Sequence, residues 1–190
     1  MAGKEEVILC GMDYSMSCPC LTICVGEFHI DNCKIFYLTD TRKYQGSFCN
    51  GIIEGHSFPT WKHDIERFYM ISSFFLNILG RYKPETIKMN IEGYSMGSRS
   101  GMTFNIGEHT GILKLQLFLS GIQFQTIAPT EVKKFASSKG NSDKNVMYNC
   151  FLNETSLDLR KELDYTKTDI SSPIGDIVDS YFICKALTRL

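Results

Sequence analysis

Long apolar runs, CxxC pairs and a strong net charge are all missing from this 190-residue sequence. No stretch reaches the ~18–20 consecutive apolar residues that a membrane helix needs. The opening MAGKEEVILCGMD has acids where a signal peptide carries a basic and then an apolar region. We therefore expect an intracellular, cytoplasmic protein that has no membrane segment. With a net charge of −1, any phosphate-binding surface must concentrate its basic residues locally.

The eight cysteines and four histidines do not favour a zinc site. Cys18, Cys20 and Cys24 lie close together in SCPCLTIC, but no histidine follows at the spacing of a zinc finger. Cysteine also packs well in a strand as a small hydrophobic residue. In a chain without export signals we expect reduced thiols in a cytosol-like compartment.

The length is typical of one domain, which we place at residues 1–190. Five strands are predicted, in EVILCGMD, SCPCLTICVGEF, CKIFYLTD, TIKMNIE and QFQTIAP. Helices are predicted over 61–82 and 111–121, in TEVKKFA, after SSKGNSDK and from about residue 175. Segments 41–59 and 157–173 are polar or rich in glycine, and we expect loop insertions there. Three strands followed by alternating helices and strands predict a mixed α/β sheet flanked by helices.

Four acids stand where such a fold collects ligands. Asp13 and Glu92 end the first and fourth predicted strands, and Asp176 and Asp179 open the last helix. If those two strands are neighbours, their terminal acids meet at one edge of the sheet, and the last helix adds two more. Crowded carboxylates repel unless cations bind between them. Oxygen ligands select Mg²⁺ or Mn²⁺, and a pair of such ions hydrolyses phosphodiesters.

Ordinary structural roles remain open for the same acids. Asp13 has the position of a turn former, and Glu92 that of a solvated strand end. Asp176 and Asp179 share a helix face and suit a first helical turn, where free N–H groups and the macrodipole favour acids. The metal hypothesis, however, accounts for all four acids together.

The order of motifs resembles the RuvC-type Holliday-junction resolvases of the ribonuclease H-like superfamily. The matching stretches are DYS, IEGYSMG, APTEVKKFASSKGNSDKNV and DIVDSYFICKAL, in that order along nearly the whole chain. The resemblance implies a ribonuclease H-like mixed five-stranded sheet. It also implies metal-binding catalytic roles for the four acids. The family usually has a glycine-bearing turn after its first aspartate. In this sequence the corresponding residues are Tyr14, Ser15, Met16 and Ser17. This departure suggests a divergent branch of the family, such as a phage or viral protein that acts in the host cytoplasm.

The resemblance also implies which residues meet DNA. Lys133 and Lys144 would lie near the scissile phosphate, and Tyr94 is near the family's base-stacking aromatic, one residue out of register. Arg99, in the glycine- and serine-rich stretch, could touch a phosphate. Lys134 and Lys139 complete a local basic field. A solvated basic face and an ordinary flexible loop are the structural alternatives.

The implied activity is metal-dependent cleavage of four-way DNA junctions by two-metal-ion hydrolysis. Two Mg²⁺ ions per site are expected, with Mn²⁺ as a substitute. Two symmetric cuts predict a homodimer, with the helix over 61–82 or that over 111–121 at its interface. Two alternatives remain open: a related nuclease acting on flaps, branched DNA or RNA–DNA hybrids, and a non-catalytic junction-binding module.

Overall fold

The computed structural model describes residues 6–94 and 100–189, in which a seven-stranded sheet is flanked by helices. The strands are β1 (Ile8–Asp13), β2 (Cys20–Val25), β3 (Cys33–Leu38), β4 (Gly46–Phe48), β5 (Ile53–His56), β6 (Ile87–Glu92) and β7 (Phe124–Ile127). Their order across the sheet is β4-β5-β3-β2-β1-β6-β7. The predicted mixed α/β architecture is confirmed, with two more strands than the five expected.

Parallel and antiparallel pairs divide the sheet. Strands β1, β2 and β3 form an antiparallel meander, whereas β6 runs parallel to β1 and β7 parallel to β6. The first and fourth predicted strands, β1 and β6, are therefore neighbours, which is the condition for Asp13 and Glu92 to meet. Because their carboxyl ends point the same way, the last residues of β1 and β6 lie at one edge of the sheet.

The two additional strands lie in segment 41–59, where a loop was expected. Strand β5 pairs parallel with β3, and the three-residue β4 pairs antiparallel with β5. Glycine and polar residues usually mark turns, so the composition of this segment predicted a loop and gave no strand signal for β4 or β5. Gly55 is required here by close packing, since a Cβ atom at this position would lie 2.0 Å from the carbonyl oxygen of Tyr44. Pairing with β3 thus overrides the local signal.

The helices follow the predicted order with shifted bounds. They are α1 (Asp64–Leu79), α2 (Ser100–Leu119), α3 (Pro129–Ser137), α4 (Lys144–Thr155), α5 (Leu159–Glu162) and α6 (Ile174–Lys185). Helix α2 begins eleven residues before the predicted start at residue 111. Segment 157–173 contains the short α5, and the Arg160 guanidinium donates to the carbonyl oxygens of Lys167 and Thr168.

Apolar side chains fill both faces of the sheet. Helices α1 and α2 cover one face, which includes Met12 and Ile91, and helices α3, α4 and α6 cover the other, which includes Tyr37. All eight cysteines are free. Among the described residues, no helix has the length and apolar character to cross a membrane.

Helix α6 packs directly on β1 and makes buried hydrogen bonds to β2 and β6. A Cβ atom on Gly11 would lie only 2.1 Å from the backbone nitrogen of Cys184, so glycine permits the close approach. The Ser180 hydroxyl lies 2.8 Å from that of Thr22 on β2, and the Asn90 amide of β6 donates to the carbonyl oxygen of Ile183 at 3.2 Å. These buried contacts position the helix that carries Asp176 and Asp179.

Candidate active site

Strand alternation places two of the predicted acids on the same face of the sheet as α6. Met12 and Ile91 are paired across β1 and β6 and point toward α1 and α2. Because successive side chains alternate, Asp13 and Glu92, the next residues, point toward α6. Asp176 lies in the first turn of α6 and Asp179 follows three residues later. The fold therefore brings all four acids to one edge of the sheet.

Burial raises the pKa of each acid, and repulsion by neighbouring acids adds to the rise for Asp13, Glu92 and Asp179. Burial is the largest cause for Asp13, followed by the charges of Asp176, Glu92 and Asp179, and its pKa rises well above the usual range. Burial and then Asp179 raise the pKa of Glu92 to about 7. Burial, with a contribution from Asp176, raises the pKa of Asp179 to about 6. The pKa of Asp176 is also raised, chiefly by burial. Such a cluster attracts cations.

Lys144 is the cation that the fold itself supplies. It is the first residue of α4, and it lowers the pKa of all four acids. Burial alone would lower the pKa of Lys144, but the four carboxylates outweigh burial and raise it. A Cβ atom on Gly175 would lie 2.8 Å from Lys144 Nζ, so the missing side chain leaves room for the lysine.

The other predicted lysines occupy different positions. Lys133, on α3, is half-buried and lowers the pKa of both Glu92 and Asp179, so it faces the acids. Lys134 is exposed and lines a separate surface pocket with Arg189. Lys139 is exposed in the turn between α3 and α4, where its carbonyl oxygen accepts hydrogen bonds from serine hydroxyls. Lys133 and Lys144 therefore face the acid cluster, whereas Lys134 and Lys139 lie on the exposed surface nearby.

The chemistry of the cluster fits divalent cations, although its side chains do not converge on one point. Asp176 is buried, and its Oδ2 has no hydrogen-bond donor within the described part of the chain. Across residues 6–94 and 100–189, no group of three or more acid, histidine or cysteine side chains is close enough to hold a metal ion. Lys144, packed among the acids, offsets part of their charge in this arrangement. Carboxylate oxygens are the ligands that Mg²⁺ and Mn²⁺ prefer.

A cavity of about 280 Å³ opens beside Asp13 and Glu92. Tyr94 lines it and exposes 52% of its surface, while Lys114 Nζ lies 5.4 Å from the centre of the Tyr94 ring. The predicted DNA contact at Tyr94 therefore lies next to the acids. Arg99, the other predicted phosphate contact in this region, lies outside the described residues. Lys114 was missed, because a lone lysine in a helix carries no signal in sequence.

The turn after Asp13 is held by residues that the sequence did not single out. Arg67 of α1 donates from Nη2 to the carbonyl oxygen of Met16 at 2.6 Å. The Tyr14 ring stacks on buried His109 of α2, with ring centres 4.0 Å apart. The Ser15 hydroxyl accepts from the backbone N–H of Cys18. Side chains from two helices thus fix the turn at which a glycine was expected from the resemblance.

The mixed seven-stranded sheet flanked by helices matches ribonuclease H-like α/β folds. RuvC of Thermus thermophilus has the same fold, with a TM-score of 0.58, 15% identity and 96% of each chain covered. Its complex with a Holliday junction substrate gives 0.58 at 13% identity, covering 96% of this chain and 95% of that one. The yeast mitochondrial Holliday junction resolvase Ydc2 gives 0.55 at 16% identity, covering 95% of this chain and 77% of Ydc2.

Sequence comparison gives the same relationship over a shorter span. The chain is 28% identical over 107 residues to the crossover junction endodeoxyribonuclease RuvC of Prochlorococcus marinus (strain NATL1A). The match covers 56% of this chain and 66% of that protein, just under two thirds of its length. No family model matches the chain. The chain thus resembles RuvC in both fold and sequence, and the resemblance inferred from its motifs is confirmed.

Proposed function

We propose that this protein is a structure-specific DNA endonuclease that cuts four-way junctions. The observation that carries the proposal is the meeting of Asp13, Glu92, Asp176 and Asp179 around Lys144, on a fold shared with Holliday-junction resolvases. The acids lie on β1, β6 and α6, and buried contacts hold these three elements together. The core of the fold therefore fixes the position of the cluster. A binding module would not need four acids with raised pKa values at a surface that meets phosphates.

The four acids would hold divalent cations, for which we propose two Mg²⁺ ions that Mn²⁺ can replace. Bound there, the ions would supply an activated water and stabilise the leaving oxygen of a phosphodiester. Deprotonation of Glu92 and Asp179, whose pKa values are about 7 and 6, prepares these side chains as ligands. Lys144 and Lys133 hold positive charge next to the acids, where a scissile phosphate gathers negative charge.

Contacts outside the acid cluster would position the DNA. Exposed Tyr94 presents an aromatic face for stacking on an unpaired base, and the half-buried Lys114 supports its ring. Lys134 and Lys139 are exposed on α3 and the following turn, where they would contact backbone phosphates. Arg99 remains a proposed phosphate contact from its place in the sequence. Recognition would depend on junction shape and backbone, so binding would weaken steeply with salt.

Two symmetric cuts require two active sites, and we propose a homodimer formed through α1 and α2. Both helices contribute to an apolar groove of about 460 Å³, so the two helices predicted as alternatives form one surface. Ile65, Tyr69, Leu115 and Leu119 line this groove, and each exposes more than half of its surface. Large exposed apolar patches often mark interfaces, and a two-fold axis would bury the same face of each subunit.

The remaining sequence predictions fit this activity. We propose that residues 1–190 act as one nuclease domain, with the segments at 41–59 and 157–173 as insertions. Eight free cysteines suit a reducing, cytoplasm-like compartment where branched DNA is processed, such as the host cytoplasm for a phage or viral protein.

Cleavage of synthetic DNA tests the proposal. Four-way junctions, linear duplexes, flaps and RNA–DNA hybrids should be incubated with the protein in Mg²⁺ and in EDTA. We expect paired symmetric nicks in the junction alone, lost in EDTA and reduced at least about 100-fold in Asp179→Asn. Asp40→Asn is the matched control, because Asp40 also follows a strand but is exposed, and it should cut like the wild type.

Other outcomes would overturn the proposal in different ways. Preferential cutting of flaps or hybrids would keep the metal site but assign the protein to a related nuclease. Tight junction binding without cleavage in Mg²⁺ or Mn²⁺ would make it a binding module. Equal activity of Asp179→Asn and Asp40→Asn would remove the acids from the reaction.

A further inference from the structure

Two buried cysteines face each other across the hairpin formed by β2 and β3. Cys24 and Cys33 are directly paired in the antiparallel register. Both side chains point into the apolar layer beneath α6, and both residues are almost fully buried. Neither belongs to the acid cluster, which lies at the opposite end of β2.

The hydrogen-bond pattern identifies the kind of pair. The backbone N–H of Leu38 donates to the carbonyl oxygen of Pro19, so these two residues occupy a hydrogen-bonded position of the β2–β3 ladder. Hydrogen-bonded and non-hydrogen-bonded pairs alternate along an antiparallel ladder. Counting from Pro19, Cys24 and Cys33 form a non-hydrogen-bonded pair. Such pairs have Cα atoms about 4.5 Å apart, within the ~4.4–6.8 Å range that a disulfide bond spans.

We propose that Cys24 and Cys33 form a reversible redox site, which a small-molecule disulfide oxidises to an intramolecular disulfide bond. A packing role alone would not require two thiols at opposing positions. The inference rests on the hairpin and does not depend on the proposed nuclease activity.

The local chemistry suits this reaction. The Cys33 thiol donates to the carbonyl oxygen of His29 at 3.2 Å, and the Cys24 thiol donates to that of Glu27 at 3.6 Å. The neighbouring Cys33 thiol lowers the pKa of Cys24 to about 7 although burial opposes it, whereas Cys24 and burial raise the pKa of Cys33. Cys24 is therefore the attacking thiolate. The connecting loop includes exposed Glu27, His29 and Asp31, and local opening of this loop would admit the oxidant.

The exchange proceeds in two balanced steps. The Cys24 thiolate attacks one sulfur of glutathione disulfide and releases one glutathione thiolate, which leaves a mixed disulfide on Cys24. Cys33 loses its proton, attacks the Cys24 sulfur and releases the second glutathione thiolate. Two protein thiols are oxidised, one small disulfide is reduced, and the two protons pass to the released thiolates.

Peptide mapping after equilibration in glutathione buffers tests the inference. A protease that cuts after glutamate cleaves at Glu27, between the two cysteines, so a Cys24–Cys33 disulfide keeps the two fragments joined until reduction. We expect this linked species to form as the oxidised fraction of glutathione rises, and to disappear in dithiothreitol. The midpoint of thermal unfolding should rise by about 4–10 °C on oxidation.

Alanine variants provide the controls. Cys24→Ala and Cys33→Ala should each abolish the linked species, whereas Cys150→Ala should retain it, because Cys150 is a more accessible cysteine on α4. If the first two variants fail to fold, mapping of the wild type still decides. The inference is wrong if Cys24 and Cys33 stay reduced while glutathione modifies Cys150, or if Cys10 or Cys184 pairs instead.

Discussion

Replacement of Gly11 by alanine tests how the structure positions its acids. Gly11 lies in β1, two residues before Asp13, at the point where α6 crosses the strand. A Cβ atom would lie 2.1 Å from the nitrogen of Cys184 and 2.4 Å from the carbonyl oxygen of Ser180. Both atoms belong to the backbone, so no side-chain rotation can relieve the clash.

The size of the effect follows from these distances. A normal contact of about 3.5 Å requires α6 to move away from β1 by about 1.4 Å. Overpacking of a core costs about 1–3 kcal/mol, and a clash between two backbones belongs at or above the upper value. Because α6 carries Asp179, a displacement of this size should also lower kcat about 100-fold in the fraction that folds.

Urea unfolding and single-turnover junction cleavage measure the two effects. Gly107→Ala is the matched control, because a Cβ atom there has no heavy atom within 4 Å and the residue lies inside α2. The control should keep its activity and gain about 0.5–1 kcal/mol of stability. Wild-type stability and kcat in Gly11→Ala would refute the inference that close packing of α6 on β1 sets the site geometry.

Three further predictions concern the charges and the apolar groove. Without divalent cations, lowering the pH from about 7.5 to 5 should increase the free energy of unfolding by about 1–3 kcal/mol, because the raised pKa values of Glu92 (about 7) and Asp179 (about 6) make the folded state bind protons more tightly. Buried His109, whose pKa is lowered to about 4, opposes part of this gain. Saturating Mg²⁺ should remove this dependence in urea titrations. Lys144→Met should lower the free energy of unfolding by about 3–5 kcal/mol at pH about 8 in EDTA, because the acids are then charged and left without their cation. The loss should be smaller at pH about 5, where more of the acids are protonated. The control Lys139→Met, at an exposed position, should unfold like the wild type. Leu119→Glu should weaken dimerisation at least about 10-fold in sedimentation without altering unfolding of the monomer.

The placement of the acids of the candidate site could be predicted because its signals are local. A short apolar strand followed by an acid places Asp13 and Glu92 at strand ends, and an apolar helical run places Asp176 near the start of α6. The parallel pairing of β1 and β6 was a hypothesis until the register showed it. Strands β4 and β5 were missed because pairing with β3 outweighs their turn-like composition.

The sequence by itself determined the order of β1, β2, β3, β6 and β7 and of every helix except α5, together with the four acids and the likeness to RuvC. Each of these depends on residues close together in the chain. Only the tertiary structure decided that Lys144 lies among the acids, that Arg67 holds the turn after Asp13 and that Cys24 faces Cys33. These relationships join distant parts of the chain or depend on strand register. Burial then sets the pKa values of the acids, and burial is a property of the packed fold alone.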